Sequence, residues 1–201
     1  MARFPNRRRS EPMQLLAACA ALMLAPLAGC ETSPELRHPQ AYSKDGISFR
    51  YPSNWSVTED GETPGASRYR YLFIESPGSA IVIVQHHEPG IELSVEEFAA
   101  EFHRKAIEKI GEVAQVGPLK PFSGHAGNAV PIRAVVAGMP RKGIEYSYSV
   151  SGAGQQVPHR FRAFKVESAS ATTFLVAQAA TEDWDLISPG FDLVLASFEV
   201  E

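Results

Sequence analysis

The sequence predicts an α+β domain, a central antiparallel β-sheet flanked by helices. Three observations predict it. Segments of alternating apolar and polar residues recur along the chain, and several are joined by connections too short for a parallel crossover. Only two later stretches, one central and one C-terminal, space their apolar residues helically. The order of elements, strands then helix then strands then helix, packs helices onto a sheet instead of alternating β with α.

The N-terminal segment stands apart. Arg3, Arg7, Arg8 and Arg9 make a positive stretch, followed from Leu15 to Leu27 by the uncharged run LLAACAALMLAPL. That run has the length of a secretory signal and falls short of the ~20 residues a spanning helix needs. It ends in Leu27-Ala28-Gly29-Cys30, which resembles the lipobox of bacterial lipoproteins. The resemblance implies a thiol that carries a diacylglyceryl group, cleavage before Cys30, and an acylated new amino terminus. One acyl chain binds a membrane marginally, whereas two or more hold firmly. Residues 1–29 are therefore expected to be a signal peptide, 30–41 a tether and 42–201 one domain.

Charge and cysteines bound the rest. The chain has 19 Lys+Arg against 23 Asp+Glu; without the four arginines and one glutamate of residues 1–29, 15 face 22, a net of −7. That balance excludes a nucleic-acid-binding class. Cys19 leaves with the signal, so Cys30 is the only cysteine of the mature chain, and the domain must hold without a disulfide. Glu31 stands where an aspartate resembles an inner-membrane retention signal, which favours the outer membrane. The stretch Glu31–Ala41 (ETSPELRHPQA) is polar with two prolines and reads as a tether spanning at most about 35 Å.

The first strand is expected at Ile47, Phe49 and Tyr51, which alternate with Ser48 and Arg50; Pro52-Ser53-Asn54 breaks it and Trp55–Thr58 resumes it. Glu59–Ser67 is expected to be a loop. Tyr69–Glu75 and Ala80–Gln85 read as two strands joined by Ser76-Pro77-Gly78-Ser79. The first helix carries a capping box in Ser94 and Glu97, a Leu93–Phe98 staple, and a stripe of Val95, Phe98, Phe102, Ala106 and Ile110 closed by Gly111. Strands follow at Val130–Val136, Glu145–Val150, Arg160–Val166 and Thr173–Ala180; the last is apolar on both faces and so central. Trp184, Ile187, Phe191, Val194, Leu195 and Phe198 mark the last helix. Pro189 falls within that stripe, which predicts a turn and then a helix with Ser188 as N-cap and Pro189 first.

Asp45-Gly46-Ile47-Ser48-Phe49-Arg50-Tyr51-Pro52-Ser53-Asn54-Trp55 resembles the opening of the PsbP-like superfamily, and Leu193–Phe198 resembles its C-terminal helix. The resemblance spans roughly Tyr42 to Glu201. It implies an α/β/α sandwich around an antiparallel sheet, and a set of relatives that chiefly bind proteins, among them lipoproteins of the DcrB and LpqN kind. It carries over no catalytic residue.

Candidate chemistry is sparse. His86 and His87 would point to opposite faces of a strand and not share a metal, and His38, His103, His125 and His159 lack ligand spacing, so no metal site and no cofactor are expected. No GxSxG elbow is present. Ser123–Asn128, with His125, and Gly152-Ala153-Gly154 read as glycine-rich connections. Glu96, Glu97 and Glu101 suit the start of the first helix, as Glu182, Asp183 and Asp185 suit that of the last. Arg68, Arg70, Tyr146, Tyr148, Arg160 and Arg162, with Tyr69 and Tyr71, make basic–aromatic strands. If they share a face, they are a candidate binding patch for an anionic or sugar-like ligand or another protein. Trp55 and Trp184 read as core. The expected function is a non-catalytic binding or assembly module, anchored to a membrane, with another envelope protein or ligand as partner. The alternative is an envelope hydrolase whose site is gathered from separate strands.

Overall fold

The computed structural model describes residues 32–63, 69–114, 129–152 and 155–201; for 106–114, 150–152, 155 and 156 only the backbone is described. The elements are β1 (Gln40–Lys44), β2 (Ile47–Tyr51), β3 (Ser56–Glu62), β4 (Tyr69–Glu75), β5 (Ile81–His87), α1 (Val95–Ala114), β6 (Val130–Val136), β7 (Met139–Gly152), β8 (Gln155–Glu167), β9 (Thr172–Ala180), α2 (Trp184–Ser197) and β10 (Glu199–Val200). Among the described residues, seven strands form an antiparallel sheet in the order β3-β4-β5-β9-β8-β7-β6, and β1-β2-β10 form a second, smaller one. The α+β class expected from the pattern is the class observed. None of the described helices is long and apolar enough to cross a membrane.

The large sheet has two apolar faces and therefore two cores. On one face Leu72, Ile74, Val82, Val84, Phe164 and Leu175 pack against α2 and the small sheet. On the other, Phe73, Ile83, Phe161, Phe174 and Val176 pack against α1. Strand β9 lies fourth of seven and is buried along its whole length, because both of its side-chain rows meet a covering layer. The Phe98 ring of α1 stacks on Phe174 with centroids 4.0 Å apart.

The capping box forms as spaced: Glu97 N–H donates to Ser94 Oγ at 3.1 Å, and Ser94 N–H donates back to Glu97 Oε2 at 2.9 Å. Gly111 does not close α1, which runs on to Ala114; an interior glycine costs only about 1 kcal/mol, and helix-forming residues follow it. Helix α2 also departs from expectation. It starts at Trp184 behind Asp183 and passes through Pro189 without a break. Proline removes the N–H that would reach the Asp185 carbonyl, and Ser188 Oγ approaches that oxygen instead, at 3.4 Å. Burial of Trp184, Ile187, Phe191, Val194 and Leu195 on one stripe holds the helix together across the proline.

Several strands exceed their expected bounds. Glu59–Glu62 belongs to β3 and not to a loop, and Gln40 and Ala41, expected in the tether, already belong to strand β1. Asp45 (φ 48°) and Gly46 (φ 76°) turn β1 into β2, a left-handed pair that Asp-Gly adopts readily. Ala137 (φ 51°) and Gly138 (φ 68°) do the same between β6 and β7, and their N–H groups donate to the Leu195 and Ala196 carbonyls at the end of α2. The β6–β7 turn thus caps the helix that packs on it.

Candidate functional site

Arg70 lies on the face covered by the small sheet, with its charge fully engaged. Its Nε and Nη2 donate to Asp60 at 2.8 and 3.1 Å, and Nη1 donates to the Lys44 carbonyl at 3.0 Å. Tyr42 OH donates to Asp60 Oδ2 at 2.8 Å, and Lys44 Nζ lies 2.7 Å from the same oxygen. The bidentate Arg70 contact holds the Asp60 carboxyl well below the usual range. Burial, with the bond to Asp60, pushes the Tyr42 hydroxyl up to about 12. This cluster ties β1 to β3 and β4, and so joins the two sheets.

Arg160 and Arg162 lie on that same face at the other end of the sheet. Both guanidinium groups sit over the Trp184 ring, 4.5 and 4.7 Å from its centroid, and Arg162 Nε donates to Glu145 Oε2 at 2.7 Å. Tyr146 and Tyr148 belong to the α1 face. The six residues expected as one patch are thus divided: Arg70, Arg160 and Arg162 on one face, Tyr146 and Tyr148 on the other, with Arg68 outside the described residues. The reason is the strand period: cross-strand partners share a face, and Glu145, one residue from Tyr146, is the partner of Arg162.

Beneath α1 the structure gathers a different set. His103, buried on α1, stacks on Tyr146 at 5.2 Å and meets Tyr148 edge-on at 5.9 Å. Tyr148 stacks in turn on His159 at 5.6 Å. Register brings Gln178, Phe161 and Tyr146 into one row across β9, β8 and β7. His103 Nε2, Tyr148 OH and Gln178 Oε1 are all buried without a hydrogen-bond partner among the described residues. Burial lowers the pKa of His103 and of His159, and raises that of the Tyr148 hydroxyl far above the usual phenol range. At neutral pH the cluster is uncharged imidazole, phenol and carboxamide, walled by Phe102 and Phe161. The polar atoms it offers are uncharged hydrogen-bonding groups. In the sequence His103 stands out only as a histidine without ligand spacing, and Gln178 carries no motif; their signal is positional, a histidine four residues past buried Ala99 and a glutamine within the apolar run Phe174–Ala180.

His86 and His87 do point to opposite faces. His86 Nδ1 meets Thr173 Oγ1 at 2.9 Å, while His87 packs on Tyr69 and Phe174. Both are half-buried rather than on the open surface, and burial lowers both pKa values. Among the described residues, no three His, Cys, Asp or Glu are grouped to hold a metal. Leu27, Ala28, Gly29, Cys30 and the His125 loop lie outside the described residues. Trp55 and Trp184 are core, each packed on Phe191.

No family model and no curated protein matches the chain. Solved structures do. It is similar to the solution structure of the cyanobacterial PsbP (CyanoP) of Synechocystis sp. PCC 6803, at 17% identity and a TM-score of 0.48, over 89% of this chain and 99% of that one. It is similar to LpqN of Mycobacterium tuberculosis, described as involved in cell envelope biogenesis, at 14% identity and a TM-score of 0.38, over 81% and 89%. A third likeness is a Pseudomonas aeruginosa protein of unknown function, a "putative regulator", at 14% identity and a TM-score of 0.31, over 77% and 91%.

Proposed function

We propose that this chain is a lipid-anchored, non-catalytic binding or assembly module of the bacterial cell envelope, its domain on the periplasmic side. One observation carries the reading: an arginine-led apolar run ends in Leu27-Ala28-Gly29-Cys30, and a folded α+β body follows directly. Two further features support binding over reaction. The described arginines of the expected patch hold the fold together through Asp60, Glu145 and Trp184. His103 is shifted by burial, and no charged group among the described residues adds to that shift to activate it as a base. The neutral cluster beneath α1 holds polar atoms without a partner among the described residues, which suits recognition of a neutral polar ligand or segment.

The test separates anchor from activity. Mature protein is expected to partition into detergent and to yield an acylated N-terminal peptide by mass spectrometry, and Cys30→Ala to accumulate as precursor. A Cys30→Ala protein that is processed normally and stays water-soluble overturns the anchor. Purified protein screened against esterase, phosphatase, peptidase and glycosidase substrates is expected to show no turnover. Turnover that is lost with His103→Gln would establish the hydrolase alternative.

A further inference from the structure

The segment next to the anchor does not hang free. Asn54 brackets it: Oδ1 accepts the Glu35 N–H at 2.8 Å, and Nδ2 donates to the Ser33 carbonyl at 3.0 Å and reaches Thr32 Oγ1 at 3.4 Å. Ser53 N–H adds a bond to the Glu35 carbonyl at 3.0 Å. Pro34 seats on α2 at Gly190, where an added Cβ would come within 3.1 Å of the proline ring and 2.6 Å of Trp55. In the sequence only Glu31 separates this bracketed stretch from Cys30, and two residues of chain reach at most about 7 Å. A tether of eleven residues would let the domain turn freely, whereas a bracket at Thr32–Glu35 leaves almost no slack.

Two exposed leucines adjoin the bracket. Leu36 follows it directly, and Leu186 stands four residues before Gly190, one turn along α2. Each is 41% exposed. Nearby, the Glu35 carboxylate accepts the Arg37 N–H at 2.8 Å.

We infer that this surface, Thr32–Leu36 together with the first turns of α2, rests on the lipid bilayer, with Leu36 and Leu186 entering the interfacial layer and Asn54 fixing the orientation. The inference rests on the acylation of Cys30. The occupant is the bilayer because the anchor is so close: an acyl chain held within two residues of the bracket brings this surface to the headgroups first. Interfacial leucines then add apolar burial to the lipid chains.

The experiment uses full-length lipoprotein, in which an acylated Cys30 leaves no other thiol in the mature chain. Leu36→Cys, Leu186→Cys and, as control, Val135→Cys on β6 are labelled with an environment-sensitive fluorophore and reconstituted into phosphatidylethanolamine–phosphatidylglycerol vesicles. Labels at 36 and 186 are expected to shift to the blue and to be quenched at least twofold by nitroxide headgroup lipid, while the label at 135 stays water-like. Asn54→Ala is expected to lose most of that quenching, and to open residues 32–39 to protease, with the melting transition and acylation retained. Acylated protein whose 36 and 186 labels remain water-like overturns the surface and leaves the anchor standing. A blue shift seen in cells but absent in vesicles assigns the surface to a protein and also overturns it. An unmodified Cys30 overturns the anchor, and this surface with it.

Discussion

Arg70 and Asp60 face each other from neighbouring strands with two parallel hydrogen bonds, 2.8 and 3.1 Å, and each side chain is less than one-fifth exposed. The pair does more than neutralise two charges. Asp60 also accepts from Tyr42 and Lys44 of β1, so one carboxylate is the knot between the two sheets. Arg70→Ala would leave that carboxylate half-buried and deprived of its main donor. We expect a loss of about 2–4 kcal/mol in urea unfolding. A cost below about 0.5 kcal/mol would show that the knot is ornamental.

Acid should unfold the protein in two stages. Burial depresses the pKa of His86, His87, His103 and His159 in the folded state. The unfolded chain therefore binds more protons as pH falls below about 6.5, and stability declines there. Asp60 is also depressed, so its contribution is complete above about pH 4 and is lost as pH falls further. Urea midpoints measured from pH 8 to pH 3 should show both declines. His103→Phe should reduce the first, the other three histidines carrying the rest, and Asp60→Asn should reduce the second.

Three aromatic residues report how the helices seat. Trp184 and Phe198 are fully buried against the sheet, and Phe102 is half-buried at the edge of α1 with its ring 5.3 Å from Phe161. Substituting alanine should cost about 3–5 kcal/mol for Trp184 or Phe198 and clearly less for Phe102. Equal losses at all three would mean that α1 packs more deeply than its exposed edge indicates.

Gly143 is required by its neighbour. An added Cβ would come within 2.5 Å of the Phe164 ring and 2.6 Å of the Ala163 carbonyl oxygen, a backbone atom that cannot swing away. Gly143→Ala should cost about 1–3 kcal/mol. Gly143→Ala paired with Phe164→Leu should recover part of that loss, and a thermal melt of the three variants decides it.

Tyr148 offers the sharpest separation of binding from folding. Its hydroxyl is buried with no partner among the described residues, so Tyr148→Phe should be neutral or stabilising by up to about 1 kcal/mol. If the cluster beneath α1 accepts a ligand, the same variant should lose crosslinking to its partner in intact cells. Retained crosslinking with unchanged stability would assign the cluster to packing alone.

Much of this architecture is local and was legible in the chain. The capping box at Ser94 and Glu97, the alternation at Ile47–Tyr51 and the continuous apolar run of β9 each depend on near neighbours and a fixed side-chain period. The central place of β9 followed from one fact, that a strand apolar on both faces must be covered twice. The Asp45-Gly46 pair is a hairpin signal of the same local kind, and it places strand β1, Gln40–Lys44, ahead of the first strand expected from alternation alone.

What sequence alone determined, then, is whatever needs only one segment: the arginine-led run to Cys30, the strand and helix periods, and the choice of α+β. Tertiary structure decided what needs two or more segments. Register placed Glu145 beside Arg162 and so sent Tyr146 to the opposite face, dividing an apparent patch. Packing carried α2 through Pro189, because one buried stripe outweighed one missing hydrogen bond. Asn54 reached back across nineteen positions to Glu35 and turned an apparent tether into part of the body. Periodicity along a chain reports which face a side chain takes within its own element; only the pairing of elements decides what that face meets.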